Sequence, residues 1–333
     1  MRQLLLALAL CLATPALAED ITIQTLMRAE SDTMFRVTMQ TNGTGVGEIA
    51  HEREVAAAGK PQPIIRANQD TLYSVAIIDL SEPVTVTLPK GDGRFQSVLV
   101  ISQDHYNFAY AKPGSYELTE GEVGTRFAML LFRTFIDAGD PEDAALAHAV
   151  QDGIVLEGGG TGPFEAPDWD LENLAAARQA INDLAAVVGL DASNAFGRRD
   201  EVDPLGHLIG LAGWAGQPAT TAAAFLDAVE LNDGDTPHAV TVKDVPVDAF
   251  WSITVYDAEG YLAPNDLGRN SYNQTSATPN EDGSYTIHFG ACEDGRINCI
   301  PVTPGWNHTV RLYQPRAEIL DGSWTFPEIV PVN

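Results

Sequence analysis

The chain has few cysteines and few basic residues for its length. Only three of its 333 residues are cysteine, and 19 lysines and arginines stand against 46 aspartates and glutamates. The formal net charge is therefore −27. Such a charge repels phosphate backbones and anionic lipids, so we expect no nucleic-acid partner. An acidic surface that maintains solubility explains this charge more simply than an acidic binding patch does.

Long hydrophobic runs are also scarce, and the sequence predicts no membrane-spanning segment. The first 18 residues carry Arg2, an apolar run over Leu4–Leu12 and the small-residue signal Ala16-Leu17-Ala18. This order of features is typical of a signal peptide, here residues 1–18, that is cleaved before Glu19. We therefore expect a periplasmic or secreted protein.

Two cysteines remain after the predicted cleavage, Cys292 and Cys299, and they flank the polar loop EDGRIN. In an exported protein, two cysteines this close in sequence favour a disulfide bond. A metal site would need more ligands nearby, and His288 is the only obvious one.

Hydrophobic periodicity predicts an α+β fold that is mainly β. Val75–Ile78 is an unbroken apolar run, as in a strand buried on both faces, and residues 83–88 alternate with period two. Similar signals at residues 95–101, 251–256, 285–289 and 310–313 predict further strands. We expect two β-sandwich or jelly-roll-like domains, residues 19–138 and 237–333, joined by a helical connector over residues 139–236.

The connector contains three predicted helices. Asp140 is a favourable N-cap followed by Pro141, and apolar residues recur at helical spacing between residues 171 and 188. A third helix is expected to begin at Pro218 and to turn Phe225 and Leu226 inward.

Two groups of motifs resemble families of unknown function. Asn68–Ser74 together with Asn107–Tyr110 resembles DUF1254, whereas Ala249–Asp257, Arg311–Tyr313 and Leu320–Trp324 resemble its usual C-terminal companion, DUF1214. The resemblance implies two β-rich domains joined by helices in an exported bacterial protein. It implies no established activity.

No motif specifies a cofactor, a metal or an oligomeric state. The sequence contains no G-x-S-x-G nucleophile elbow, no P-loop and no EF-hand calcium loop. The seven histidines form no pair at the spacing of helical zinc ligands.

The candidate site combines two polar segments that adjoin strands. The first surrounds Asp70 and the second surrounds His105, and we predict that both line one polar pocket in the N-terminal domain, with Asp70 and His105 as acid–base candidates. The predicted binding residues are Asn68, Thr71, Tyr73, Asp104, Asn107 and Tyr110. The alternative is that Asn68 and Asp70 cap a turn while Tyr73 and Tyr110 pack in the core.

Two classes of function follow from this site. The first is a binding or structural module, whose pocket takes a small polar molecule or a cation. The alternative is a periplasmic hydrolase-like enzyme that uses Asp70 and His105. Arg269, Asn270, Tyr272 and Asn273 could grip an anionic or sugar ligand, although a loop that satisfies its own backbone is the simpler interpretation.

Overall fold

The computed structural model describes residues 18–62 and 65–332 of the chain, except for the side chain of Pro141. The predicted signal peptide, apart from Ala18, lies outside the described residues. No helix of the described part has the length and apolar character that crossing a membrane requires.

Strands dominate the described chain, as the sequence predicts. Their bounds are β1 (Ala50–His51), β2 (Thr71–Asp79), β3 (Val84–Leu88), β4 (Gln96–Ser102), β5 (Asn107–Tyr110), β6 (Gly114–Leu118), β7 (Phe127–Phe135), β8 (Val155–Gly158), β9 (Ala222–Asp227), β10 (His238–Val242), β11 (Trp251–Tyr256), β12 (Ser271–Asn273), β13 (Tyr285–Phe289), β14 (Cys299–Ile300), β15 (Asn307–Tyr313) and β16 (Val330–Pro331).

The helices lie mainly at the N-terminus and between the two β-rich parts. They are α1 (Leu26–Asn42), α2 (Glu120–Val123), α3 (Pro141–Asp152), α4 (Leu171–Val188), α5 (Ala192–Ala195), α6 (Pro204–Ile209) and α7 (Ala317–Leu320). The predicted N-cap of α3 is confirmed, because the Asp140 side chain accepts a hydrogen bond from the backbone N–H of Glu142.

The first β-rich part is a sandwich of two antiparallel sheets. The larger sheet has the strand order β1-β2-β7-β4-β5 and the smaller has β6-β3-β8. Ile78, Val100 and Phe132 of the larger sheet pack with Val84 and Val86 of the smaller in one buried core. The predicted burial of Val75–Ile78 on both faces is confirmed, because the opposite face of β2 packs against α1 through Phe35.

The second β-rich part is also a sandwich, so the predicted fold class is confirmed. Its sheets have the orders β14-β13-β10-β16 and β12-β11-β15-β9. The core between them contains Val240 and Ile287 from the first sheet and Trp251, Val310 and Leu312 from the second.

The helix predicted to begin at Pro218 is wrong. Residues 222–227 form strand β9, which pairs antiparallel with β15. Phe225 and Leu226 are exposed on this edge strand rather than buried. The alanine-rich sequence suits a helix locally, but hydrogen bonds to β15 decide the conformation, as tertiary context often does.

Candidate functional site

The outward face of sheet β12-β11-β15-β9 is polar, although it is buried. Successive residues of a strand point to opposite faces, so Trp251 and Ile253 enter the core while Ser252 and Thr254 point away from it. Both of these hydroxyl residues have no exposed surface. The face must therefore be covered, and the first sandwich covers it.

The segment before β2 is held against this polar face by three hydrogen bonds. The Tyr256 hydroxyl donates to the Ala67 carbonyl at 2.9 Å. Nη2 of Arg311 donates to the Arg66 carbonyl at 2.8 Å. Nδ2 of Asn68 donates to the Tyr313 hydroxyl at 2.7 Å and, within its own segment, to the Thr71 hydroxyl at 3.1 Å. These bonds fix the position of Asp70 relative to the second sandwich.

Asp70 is a buried carboxylate with one unsatisfied oxygen. The residue is 1% exposed, and its Oδ1 accepts a 3.3 Å hydrogen bond from Nδ2 of Asn273. Its Oδ2 has no hydrogen-bond partner among the described residues. Burial raises the pKa of Asp70 above its ordinary value, while the charge of Arg311 opposes the rise.

The turn-capping alternative applies to Asn68 and not to the Asp70 side chain. Oδ1 of Asn68 accepts the backbone N–H of Asp70 at 2.8 Å, which is the geometry of an Asx turn. The Asp70 carboxylate instead faces Asn273 across the boundary between the sandwiches. The Asp70 side chain therefore contributes to the contact between the two sandwiches and not to the local turn.

Asp70 lies on the wall of a cleft of about 540 Å³ between the two sandwiches, which we call the Asp70 cleft. Amide and hydroxyl side chains contribute much of its lining, with Asp137 and Arg269 as further charged groups. The amide and hydroxyl residues are Gln69, Asn265, Asn270, Ser271, Asn273 and Ser276. Such a lining offers hydrogen bonds to a small polar ligand.

A second polar row crosses the facing sheet of the first sandwich. Tyr73 lies opposite Arg133 on β7, and Arg133 lies opposite Ser97 on β4. The guanidinium carbon of Arg133 is 5.5 Å from the centre of the Tyr73 ring. Burial raises the pKa of the Tyr73 phenol. The charges of Arg133 and Arg311 and the hydrogen bonds of Asn68 and Thr71 together outweigh this effect, so the pKa is lowered overall.

Arg133, Ser252, Arg311 and Tyr313 were missing from the predicted site. Arg133 can be singled out from the sequence, because it is the one charged residue in the apolar run FAMLLFRTF of β7. Ser252, Arg311 and Tyr313 lie inside the motifs that resemble DUF1214, but nothing in their sequence context indicates that they face Asp70.

The prediction of a single pocket around Asp70 and His105 is wrong. Thr71 at the start of β2 is level with Phe135 of β7, whereas Ser102 at the end of β4 is level with Ala128. The two segments therefore lie at opposite ends of the five-stranded sheet. Thr71 and Tyr73 remain beside Asp70, while Asp104, Asn107 and Tyr110 remain with His105.

The His105 segment anchors helices and loops to the first sandwich. Nε2 of His105 accepts the backbone N–H of Ala215 at 3.0 Å, and its ring stacks on Trp214 with centres 5.6 Å apart. Burial, aided by the nearby His207, lowers the pKa of His105 to about 3. Asp104 forms an ion pair with Arg28 at 2.6 Å.

Asn107 and Tyr110 have structural partners of their own. Nδ2 of Asn107 donates to the Gly216 carbonyl at 3.0 Å. The Tyr110 hydroxyl donates to Glu122 at 3.2 Å, and the ring stacks on Tyr116 with centres 3.9 Å apart. The alternative that Tyr110 packs is thus the better description of that residue.

The loop of Arg269 to Asn273 partly satisfies its own backbone and partly lines the cleft. Nδ2 of Asn270 donates to the Ala263 carbonyl at 2.8 Å. The Arg269 guanidinium lies 5.0 Å from the centre of the Tyr272 ring and lines the Asp70 cleft. Within the described residues, no three His, Cys, Asp or Glu side chains are grouped so that they could hold a metal ion.

Comparison with known families confirms the resemblance seen in the sequence. Residues 46–124 match the protein family of unknown function DUF1254, and residues 219–317 match the protein family of unknown function DUF1214. The chain therefore belongs to the proteins that combine these two families. No curated protein matches it.

Two crystal structures of similar proteins share the fold. The VPA0106 protein from Vibrio parahaemolyticus is 20% identical with a TM-score of 0.69, over 93% of this chain and 98% of that chain. An uncharacterized protein from Burkholderia cenocepacia is 16% identical with a TM-score of 0.51, over 92% of this chain and 88% of that chain. At these identities, the likeness concerns the fold alone.

Proposed function

We propose that this protein is a binding module for a small, hydroxyl-rich molecule, which it holds in the Asp70 cleft between its two sandwiches. The observation that carries the proposal is the free Oδ2 of Asp70. A buried carboxylate oxygen without a partner is costly, and such groups in native structures call for an explanation. A ligand hydroxyl would satisfy it.

The surroundings of Asp70 favour a hydroxyl group over a cation. Arg311, whose charge acts on Asp70, and Arg269, which lines the cleft, would repel a cation. The amide and hydroxyl lining of the cleft supplies further hydrogen-bonding groups for a polyol or sugar.

The hydrolase-like alternative required Asp70 and His105 to act together. Their positions at opposite ends of the sheet exclude a shared proton transfer, which needs hydrogen-bond reach or one bridging water. His105 also already uses Nε2 as an acceptor.

We further propose that binding takes place outside the cytoplasm, after removal of residues 1–18. The sequence pattern of the first 18 residues supports this location. The pair Cys292–Cys299, which forms a disulfide, supports it as well, because disulfides persist in oxidising compartments.

The substitution Asp70→Asn tests the site. It preserves the shape of the side chain but removes the charge, so we expect the fold to survive while the affinity for a bound polyol such as sorbitol falls at least about tenfold. Binding is measured by calorimetry or ligand-observed NMR, and stability by thermal unfolding. The matched control is Asp183→Asn, which changes the same charge on the exposed face of α4.

Two results would contradict the proposal. One is an Asp70→Asn protein that binds like the wild type but is less stable, which would make Asp70 a structural residue. The other is the absence of any polyol or sugar that binds to the wild-type protein.

A further inference from the structure

A small cavity of about 240 Å³ lies at the end of the five-stranded sheet that is remote from the Asp70 cleft, and we call it the Ser102 cavity. Its lining comes from the end of β4, the turn into β5, helix α2 and the segment Arg198–Asp200. Pockets for drug-sized ligands measure roughly 300–1,000 Å³, so this cavity suits a smaller molecule.

The side chain of Ser102 lies on the face of the sheet that forms one wall of this cavity. Phe108 stands opposite Val100 on β4, and the carbonyl of Tyr106 accepts the N–H of Ser102, so the four side chains share one face. Ser102 is 1% exposed, and its Oγ has no hydrogen-bond partner among the described residues. A buried hydroxyl without a partner carries a free-energy cost, which a ligand in the cavity would remove.

Two arginine side chains lie over the aromatic rings of the same face. The guanidinium carbon of Arg198 is 3.7 Å from the centre of the Phe108 ring, and that of Arg199 is 4.4 Å from the centre of the Tyr106 ring. The residue before Arg198 accepts a backbone hydrogen bond of 2.9 Å from the first residue of β5. The cation–π contacts and this bond together hold both guanidinium groups beside the cavity.

Neither guanidinium group is fully engaged by its acidic neighbour. Nη2 of Arg199 lies 3.3 Å from Oδ2 of Asp104, whereas Arg28 holds Oδ1 of that carboxylate at 2.6 Å. Nη2 of Arg198 lies 3.1 Å from Oε1 of Glu122. Each contact uses one of the several N–H donors of a guanidinium group, and the described part of the chain offers the two groups no other hydrogen bond. Both groups therefore keep donors for a ligand.

The charged groups around the cavity balance each other. Three carboxylates and two guanidinium groups line it, and Arg28, which is paired with Asp104, supplies a third guanidinium group. The charged lining residues are Asp104, Glu122, Asp200, Arg198 and Arg199. A lone anion would be repelled by the carboxylates and a lone cation by the guanidinium groups. A zwitterion can instead place each of its charges beside the opposite charge.

We propose that the Ser102 cavity is a second binding site, which takes a small zwitterion of the α-amino acid class. The carboxylate of the ligand accepts hydrogen bonds from Arg198 and Arg199, because a planar guanidinium group matches the geometry of a carboxylate. The ammonium group of the ligand donates to the Ser102 hydroxyl and to a carboxylate of the lining. The site is independent of the Asp70 cleft at the opposite end of the sheet, so each proposal can fail without the other.

Three probes of nearly equal size separate the two charges of such a ligand. L-Alanine carries both charges, L-lactate has a hydroxyl in place of the ammonium group, and L-alaninol has a hydroxymethyl group in place of the carboxylate. We expect the chain from Glu19 onward to bind L-alanine at least about tenfold more tightly than either analogue, as the loss of one charged hydrogen bond implies. Affinities are measured at neutral pH by calorimetry or ligand-observed NMR.

The substitution Ser102→Ala separates binding from folding. We expect it to weaken the binding of L-alanine about tenfold, because it removes a hydrogen bond to a charged group. The variant should unfold at the same or a higher temperature, because the lost hydroxyl has no partner within the described chain. Ser97→Ala is the matched control, since Ser97 is also buried with an unpartnered Oγ but does not line the cavity. It should bind L-alanine like the wild type.

The substitution Arg199→Met tests the carboxylate end of the site. Methionine keeps an apolar contact with the Tyr106 ring but removes the guanidinium group, so most of the preference for L-alanine over L-alaninol should be lost. The fold should be unaffected, because the Arg199 side chain is 70% exposed. Arg316→Met removes an exposed arginine that does not line the cavity and should bind like the wild type.

Several outcomes would overturn the proposal. One is L-alanine that binds no better than L-lactate and L-alaninol, or that does not bind at all. Another is a Ser102→Ala protein that binds L-alanine like the wild type. If Ser102→Ala is destabilised, its hydroxyl serves the fold and Arg199→Met alone decides, since an unchanged preference for L-alanine in that variant overturns the proposal.

Discussion

Asp70 and His105 are both buried residues with shifted pKa values, but the cause of their burial differs. His105 accepts the Ala215 N–H and stacks on Trp214, so its environment is that of a packed core residue. Asp70 lines a polar cleft and has one carboxylate oxygen without a partner among the described residues. Burial alone therefore does not identify a site residue, whereas an unsatisfied buried group beside open space does.

The low pKa of His105 predicts a loss of stability in mild acid. An unfolded histidine binds a proton as the pH falls below about 6.5, whereas the native ring stays neutral until its pKa of about 3. The unfolded state therefore binds more protons, and the free energy of unfolding should fall by about 2 kcal/mol between pH 7 and pH 5 on account of His105.

The variant His105→Gln checks this expectation. Urea unfolding at both pH values should show a smaller pH dependence for the variant than for the wild type, by about the same 2 kcal/mol. His308, whose pKa burial lowers to about 4, leaves a residual slope in both proteins. Equal slopes would show that His105 has the same pKa in the native and the unfolded state.

At the scale of elements, short strands depend on their neighbours for stability. β14 has two residues, and it pairs in parallel with the end of β13 through His288 and Cys299. The disulfide between Cys292 and Cys299 closes the loop that leads into it. The covalent bond thus limits the freedom of a segment whose own hydrogen bonds are few.

Removing the disulfide should destabilise the second sandwich. The double variant Cys292→Ser and Cys299→Ser should lower the free energy of unfolding by about 2.5 kcal/mol, as the chain-entropy estimate for a loop this short predicts. Denaturant unfolding without reductant measures the loss. The wild type with reductant should approach the variant, and a variant as stable as the oxidised wild type would contradict the role.

At the scale of the whole molecule, the two sandwiches meet through a polar region and an aromatic cluster beside it. The hydrogen bonds of Tyr256 and Arg311 to backbone carbonyls before β2 join the two parts directly. The aromatic contacts of Phe250 with Phe95 and Phe135 enclose the polar region on one side. The candidate site exists only where both sandwiches are present.

The proposed export concerns the whole chain and can be tested on it. In a bacterial host that expresses the full sequence, the protein outside the cytoplasm should begin at Glu19, as N-terminal sequencing would show. In the structure, Glu19 donates its N–H to the Asp168 carbonyl at 2.7 Å, an anchor that cleavage after Ala18 leaves in place.

A variant of the apolar run provides the control. Leu6→Arg together with Leu8→Arg interrupts the run that a signal peptide needs, so the protein should stay in the cytoplasm with residue 1 or 2 at its N-terminus. A wild-type protein that remains cytoplasmic with Met1 intact would contradict the predicted location.

The sequence by itself determined the local elements that carry a strong pattern. The unbroken run at Val75–Ile78 and the alternation at residues 84–88 became strands, and the spacing of apolar residues between 171 and 188 became α4. These patterns predict secondary structure correctly because they show which side chains must be buried away from water. Residues 222–227 carry no comparable pattern, so pairing with β15 decided their structure.

Only the tertiary structure decided the composition of the candidate site. The sequence indicates that Asp70 and His105 each adjoin a strand, but the order and register of the strands place them at opposite ends of one sheet. Ser252 and Arg311 join Asp70 because two sheets from distant parts of the chain face each other. Strand order and sheet packing depend on residues that are distant in sequence. No local sequence pattern therefore predicts which side chains lie next to Asp70.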